Sequence, residues 1–301
     1  MNMSNNVVLN TLNVPIINDF EHLAEQLSLT QELLYFLTYK KQYCYTRKEI
    51  PKKDGTSRIL YVPHLALKVV QRWILKEILE KINVSNQAMA FVPKKNGLKV
   101  NAEYHKKNIF ILEMDIKKFF DSIKETQVFQ LFCKIGYNTD VSAILANLCT
   151  YEDALPQGAV TSPYIANLVT YHLDVRLNGL CSRKDIVYTR YADDILISCS
   201  HVISQDEIDN IILILRIMLS RKGLSLNEKK AANVILKDKG DYIKYLGLNI
   251  VKCEKSNRVT VGKKYKNDIA KDYMKYIIME NGKEKFYFGK KIAGYLSFVK
   301  M

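Results

Sequence analysis

The sequence predicts an α/β protein of the α+β kind, and three stretches carry that expectation. Asn108 to Met114, NIFILEM, is a nearly unbroken apolar run with the length of a buried strand, and it ends on Asp115. Tyr188 to Ser200, YTRYADDILISCS, sets β-branched and aromatic residues on both sides of Asp193 and Asp194, the pattern of a β-hairpin with the acids at or beside its turn. Ser204 and Glu207 form a capping box ahead of a helical stripe, Ile208, Ile211, Ile212, Leu215 and Leu219, which Gly223 closes.

The strand and the hairpin raise the same chemical question. Carboxylates held side by side repel each other unless a divalent cation fills the space between them. An isolated Asp-Asp pair is most simply a solvated turn. If Asp115 lies beside the hairpin, however, three carboxylates converge on one point, which matches a two-metal site for in-line phosphoryl or nucleotidyl transfer. Between the acids lies Pro156 to Pro163, PQGAVTSP, where Gly158, Ala159 and Ser162 leave room for a backbone to approach a flat ligand. Ser162 and Pro163 read there as the N-cap and first residue of a helix.

In this order, Asp115 with Phe120 and Asp121, Gln157-Gly158 with Ser162-Pro163, and Tyr191-Ala192-Asp193-Asp194 resemble the reverse transcriptases. Asn101, Ala102 and His105 fit the Asn-Ala-x-x-His pattern of the retron reverse transcriptases. The resemblance runs from about Lys40 to the C-terminus. It implies a right-hand polymerase fold: N-terminal helices and fingers over residues 1–105, a palm whose antiparallel sheet carries the acids over 106–240, and a primer-grip hairpin with a small helical thumb over 241–301. It implies RNA-directed DNA synthesis, with two Mg²⁺ ions held by Asp115, Asp193 and Asp194 and the Ile116 carbonyl as a natural extra ligand. It further implies dNTP substrates, a cognate structured noncoding RNA, an RNA–DNA hybrid product primed from an internal 2′-hydroxyl, and an antiphage defence role with a separate effector protein. Asn101 and His105 are then expected to serve RNA recognition.

Residues 1–18 form a polar leader, followed by helices over Asp19 to Leu27 and Gln31 to Lys40. Lys48 to Val62 looks like a hairpin with its turn at Asp54-Gly55. Lys52, Lys53 and Arg58 flank that turn, either as a solvated basic tip or, as the resemblance implies, as a triphosphate clamp in which Arg58 suits bidentate contact and Lys52 is a point charge. Pro63 to Ile82 reads as one core helix with Trp73 as an anchor. Of Phe119 and Phe120 at least one belongs to the core, and Phe120 stands where the family places the ring that excludes a 2′-hydroxyl. Gln157 stands where it contacts the incoming base pair. Pro163 to Leu180 reads as a helix, with His172 a core or rim histidine.

GLSLNEKK, Gly223 to Lys230, resembles the next family motif, with Lys230 as general acid toward pyrophosphate and Lys229 an open alternative. Tyr245-Leu246-Gly247 stands where retron enzymes show Val-Thr-Gly, and Val259-Thr260-Val261-Gly262 is offset from it. The last segment reads as two helices with lysine-rich outer faces, including Lys263, Lys264 and Lys266, suited to phosphate contacts on a duplex.

Composition sets the outer bounds. The 301 residues are 48% apolar and 25% charged, those of a globular protein with a sizeable core. The net charge of +14 points to a polyanionic partner, although solvated lysines alone produce such values. Its distribution is uneven, because residues 251–301 hold 13 Lys or Arg against 5 Asp or Glu, or +8 of the total. Six scattered cysteines without a Cys-x-x-Cys pair read as free thiols in a reducing cytoplasm. No signal peptide and no membrane span are expected. Rival readings are another bacterial reverse transcriptase of abortive-infection or group II intron type, a nonenzymatic RNA-binding scaffold, and an RNA-dependent RNA polymerase. The intact acids disfavour the scaffold, and Phe120 disfavours the RNA polymerase.

Overall fold

A computed structural model describes residues 3–51, 55, 57–93, 95, 97–228, 232–254 and 257–300. The chain begins with three helices, α1 (Met3–Thr11), α2 (Phe20–Gln26) and α3 (Gln31–Tyr39). Asp19 and Thr30 cap α2 and α3 by accepting from the backbone N–H groups of His22 and Leu33. The segment read as a polar leader packs into the fold: Leu9, Val14 and Ile17 are buried in the main core, and the Pro15 carbonyl accepts from the Tyr137 hydroxyl at 2.9 Å.

Strands β1 (Tyr45–Pro51) and β2 (Ser57–Pro63) pair antiparallel with Pro51 opposite Ser57, and the expected Asp54-Gly55 turn falls on Asp54, which lies outside the described residues. The expected single helix after Pro63 breaks into three pieces: α4 (Leu65–Trp73), a π-helical turn (Ile74–Ile78) and a 3₁₀ turn (Leu79–Lys81). The widened turn keeps Ile74, Ile78 and Leu79 all in the core, while Trp73 is only half-buried.

Next come α5 (Gly97–His105), β3 (Phe110–Asp115), the short α6 (Phe119–Ser122), α7 (Glu125–Ile135) and α8 (Thr139–Cys149). The segment expected as one helix after Pro163 is two, α9 (Ser162–Val169) and α10 (Tyr171–Ser182), separated at Thr170. Ser162 is the first helical residue rather than the cap, and its hydroxyl donates to the Pro156 carbonyl at 2.8 Å. The hairpin β4 (Ile186–Tyr191) and β5 (Asp194–Cys199) leads to α11 (Gln205–Ser220), whose N-cap Ser204 accepts from the Glu207 amide. The chain ends with β6 (Ala232–Ile235), β7 (Tyr242–Tyr245), β8 (Leu248–Val251), β9 (Arg258–Val261), α12 (Lys263–Ile278) and α13 (Lys283–Lys300).

Sheet order places the acid-bearing strands together. The four-stranded sheet runs β4-β5-β3-β6, with β3 antiparallel to both neighbours. Side chains alternate across it. Phe110, Leu112 and Met114 of β3, Ile195 and Ile197 of β5, and Tyr188 of β4 enter the main core, on the face covered by α9, α10 and α11. Ile111 and Leu196 point the other way, into a second cluster with Ile243, Tyr245 and Ile250 of the three-stranded sheet β7-β8-β9. Asp115 and Asp194 share the parity of Ile111 and Leu196. The acids are therefore on the face away from α9, α10 and α11, the face on which α5 packs.

No helix among the described residues is long and apolar enough to cross a membrane. Cys44, Cys149, Cys181 and Cys199 are buried free thiols, and Cys133 and Cys253 are half-buried.

Candidate active site

β3 delivers Asp115 at its last position, and the ladder puts Asp194, the first residue of β5, directly opposite it. Side chains of such opposed residues lie about 5 Å apart at Cβ. Asp193 occupies the two-residue turn with Ala192, which takes a left-handed backbone at φ +57°. The Asp193 carbonyl accepts from the Ile116 amide at 2.9 Å, tying the turn to the end of β3. Asp115 is almost fully buried, and its Oδ1 accepts from Asn227 Nδ2 at 3.0 Å, while its carbonyl accepts from the Asn227 amide at 2.8 Å. The GLSLNEKK segment thus runs beside the acids. Asn227 marks it in the sequence, but its contact with Asp115 could be seen only in the fold.

Arg190 holds the hairpin from behind. Its guanidinium is completely buried. It donates to both oxygens of Asp174 at 2.9 and 2.7 Å, to Thr170 at 2.7 Å, to Asn167 at 3.2 Å and to the Ala192 carbonyl at 2.8 Å. Burial by itself lowers its pKa, and the adjacent Asp174 carboxylate outweighs that, so the group stays charged. The carbonyl it grips belongs to the residue immediately before Asp193. Sequence reading missed Arg190 because an arginine inside a strand pattern gives no sign that its partner is on α10.

Asn101 and His105 differ most from expectation. Both lie on α5, not in a polar loop, and both are fully buried, so neither presents an atom to RNA. Their expected role in contacting RNA is corrected to an internal one. Asn101 Nδ2 donates to the Tyr245 hydroxyl at 2.8 Å, and its Oδ1 accepts from the Thr189 hydroxyl. Because the Thr189 proton is used there, His105 Nε2 donates to Thr189 Oγ1 at 2.7 Å. His105 Nδ1 then accepts from Ser198 at 2.6 Å, and Ser198 in turn accepts from Asn108 at 2.6 Å. Burial pushes the imidazole down to about 3, which keeps it neutral with its proton on Nε2. The motif therefore joins β7 to both strands of the acid-bearing hairpin. Tyr245 precedes Leu246 and Gly247, whose positive φ values of 50° and 87° form the β7–β8 turn, and Thr260 pairs with Asn249 one strand further.

The remaining candidates distribute as follows. Phe119 is the core ring, stacked beneath the Arg190 guanidinium at 5.5 Å, and Phe120 is half-buried next to it with ring centroids 5.5 Å apart. The Gln157 carbonyl accepts from the Tyr61 amide of β2 at 2.7 Å, and its side chain donates to Asp121 at 3.3 Å. A Cβ on Gly158, at φ +112°, would meet the Tyr61 carbonyl oxygen at 2.9 Å, so glycine lets the β1–β2 hairpin seat against this segment. Arg58 is exposed on β2. Lys263, Lys264 and Lys266 open α12, and α12 and α13 pack on each other. Lys52, Lys53, Lys229 and Lys230 lie outside the described residues. His172 is an exposed rim residue.

The family model and the curated relatives identify the class of protein, a nucleotidyl-transfer polymerase domain. The family model for reverse transcriptase (RNA-dependent DNA polymerase) matches residues 50–250. The retron Ec86 reverse transcriptase of Escherichia coli is 33% identical over 224 residues, covering 74% of this chain and 69% of that protein. The retron Mx65 reverse transcriptase of Myxococcus xanthus is 35% identical over 182 residues, 54% of this chain and 42% of that protein. Among solved structures, a Candida albicans telomerase in complex with a telomeric RNA fragment aligns with a TM-score of 0.49 at 13% identity, over 77% of this chain and 50% of that one. The chain belongs to the reverse transcriptase family, the RNA-dependent DNA polymerases. Within that family it is of the retron type.

Polymerases of this family work with divalent metal ions on an RNA template. Among the described residues no group of three or more His, Cys, Asp or Glu side chains is arranged to hold a metal ion. What the ladder shows is a pair, the carboxylates of Asp115 and Asp194 opposed at one end of the sheet. That suits a hard cation held by one or two carboxylates, with waters and substrate phosphates completing its shell.

Proposed function

We propose that the protein copies a cognate structured noncoding RNA into single-stranded DNA, priming from an internal 2′-hydroxyl of that RNA. The observation that supports this reading most is the ladder position of Asp115 opposite Asp194, with Asp193 in the adjoining turn. The primer oxygen forms a bond to the α-phosphorus of a dNTP, the bond from that phosphorus to the bridging oxygen breaks, and pyrophosphate leaves. Two Mg²⁺ ions held by Asp115, Asp193 and Asp194, with the Ile116 carbonyl as an added ligand, would supply activation of the hydroxyl and neutralisation of the leaving charge.

The chain's own groups do the positioning. Arg58 and Lys52 hold the triphosphate, Gln157 lies along the incoming base, and Phe120 closes the space a 2′-hydroxyl would need. Lys230, or Lys229 in its place, protonates pyrophosphate. Residues 1–105 serve as N-terminal helices and fingers, 106–240 as palm and 241–301 as primer grip and thumb, with Lys263, Lys264 and Lys266 on the duplex backbone. A separate effector protein and an antiphage role complete the reading.

The test is to purify the protein from cells carrying its native locus and treat the bound nucleic acid with RNase and a debranching enzyme. Short DNA joined to RNA through a 2′ branch, absent from an Asp193→Asn, Asp194→Asn variant, supports the reading. Unbranched DNA in the wild type would reject the 2′ priming, and RNA alone in both samples would reject DNA synthesis.

A further inference from the structure

The side of the four-stranded sheet covered by α9, α10 and α11, away from the acids, carries two adjoining grooves. The larger, of about 930 Å³, runs between α7, the start of α10 and the segment after α11, and includes Lys124, Lys134, Arg221, Lys222, Tyr171 and His172. The smaller, of about 450 Å³, lies between α10 and α11 and includes Arg176, Arg183, Arg221, Ile214, Ile217 and Met218. Arg221 lines both, so the two grooves adjoin at that residue and together make up a basic track.

Helical spacing explains the placement. On α10, Leu173, Asp174, Leu177 and Cys181 face the core, which turns Arg176, Gly179, Leu180 and Arg183 outward. On α11, Ile208, Leu215 and Leu219 are buried, and Ile214 and Ile217 remain 41% and 44% exposed.

Charge decides what such a track accepts. Among the described residues it is lined by six lysines and arginines and one carboxylate, Asp121. Lys124 approaches Asp153 at 3.8 Å. Arg176, Arg183 and Arg221 form no ion pair among the described residues. At the α9–α10 break, the exposed Tyr171 and His172 rings meet edge to face at 5.4 Å. Cations flanking aromatic and apolar surfaces are the elements of a single-strand nucleic-acid site, in which phosphates meet the charges and bases lie on the rings and aliphatic side chains.

We infer that this track is a second nucleic-acid site, binding a single-stranded RNA segment on the side of the palm opposite the acids. It rests on the proposed use of a structured RNA, and it would anchor a part of that RNA which is not being copied. A partner with an acidic surface is the rival occupant. The rings and the absence of any second carboxylate among the described lining residues favour RNA.

The experiment fills the polymerase channel first. The chain is stalled on an RNA template with a dideoxy-terminated DNA primer, the next dNTP and Mg²⁺, and fluorescein-labelled oligouridylate is added while anisotropy is read. The wild-type complex should bind the probe. Arg176→Glu, Arg183→Glu, Arg221→Glu should weaken it by more than about tenfold and lower the salt slope by about 2, at roughly 0.7 per lost phosphate contact. Primer extension and the circular dichroism spectrum should be unchanged. Lys134→Glu, Lys222→Glu should weaken the probe as well.

Equal binding by wild type and variants overturns the inference. So does a probe that binds the free chain but not the stalled complex, or a stalled complex that takes up polyglutamate in place of the probe. If the wild type does not extend the primer, the polymerase reading falls, and comparing probe affinity between unprimed wild type and variants still decides the track.

Discussion

Replacing Arg190 by methionine removes the clasp behind the acid-bearing turn. Asp174 would remain fully buried with the Tyr188 hydroxyl, at 2.8 Å, as its one donor among those described for it. An uncompensated buried charge of this kind costs about 3–5 kcal/mol. For a chain of this size that corresponds to a melting temperature lower by roughly 5–8 °C. The consequence for catalysis is separate, because Arg190 also fixes the Ala192 carbonyl beside Asp193.

Two comparisons separate the effects. Leu34→Ala in α3, which packs against α2 and α8, costs about 2–5 kcal/mol of core burial without touching the turn. Arg190→Met, Asp174→Leu removes both charges and should regain most of the lost stability. Thermal denaturation gives the transition of each variant, and primer extension against Mg²⁺ concentration is measured below all of them. Arg190→Met and the double variant should both require more Mg²⁺ and turn over more slowly, and Leu34→Ala should match the wild type. A double variant with restored stability and wild-type Mg²⁺ dependence would refute a positioning role for Arg190.

Three further outcomes follow from the structure. Tyr245→Phe strands the buried Asn101 amide and should cost about 1–3 kcal/mol in denaturant unfolding, with the polymerase site intact. Because burial holds His105 near 3 rather than its usual 6.5, the unfolded chain takes up a proton below pH 6.5 that the folded chain refuses. Stability should therefore be full above that pH and fall by about 1.4 kcal/mol per unit as the pH drops through this window. Between pH 6.5 and 5, His105→Gln should show a correspondingly shallower decline by urea unfolding; an identical slope would contradict the assignment. Phe120→Ala should raise ribonucleotide use relative to deoxynucleotide use by about 10–200-fold in single-nucleotide insertion, and no change would remove its role in sugar selection.

Local patterns made the centre of the molecule legible. The apolar run ending on Asp115, the β-branched flanks of Asp193-Asp194 and the capped stripe from Ser204 each encode their element within a dozen residues, and all three elements are present. What joins them is nonlocal. Asn101 meets Tyr245 across 144 residues, and His105 meets Ser198 across 93. A polar motif among lysines gives no sign that it is buried until those partners are in place. Arg190 was hidden for the same reason. The break after Trp73 escaped notice because a π turn preserves the apolar spacing of a helix while shifting its phase. The N-terminal residues read as a leader because Leu9, Val14 and Ile17 lack a periodic pattern and acquire their burial from the rest of the fold.

The central claim is that Asp115, Asp193 and Asp194 act together in RNA-directed DNA synthesis. It is tested most directly by primer extension on an RNA template, comparing wild type with Asp193→Asn, Asp194→Asn at equal folded concentration in Mg²⁺ and dNTPs. Template-dependent DNA product from the wild type, reduced to background in the variant, is the predicted result. No product from the wild type, or equal product from both, would contradict the account.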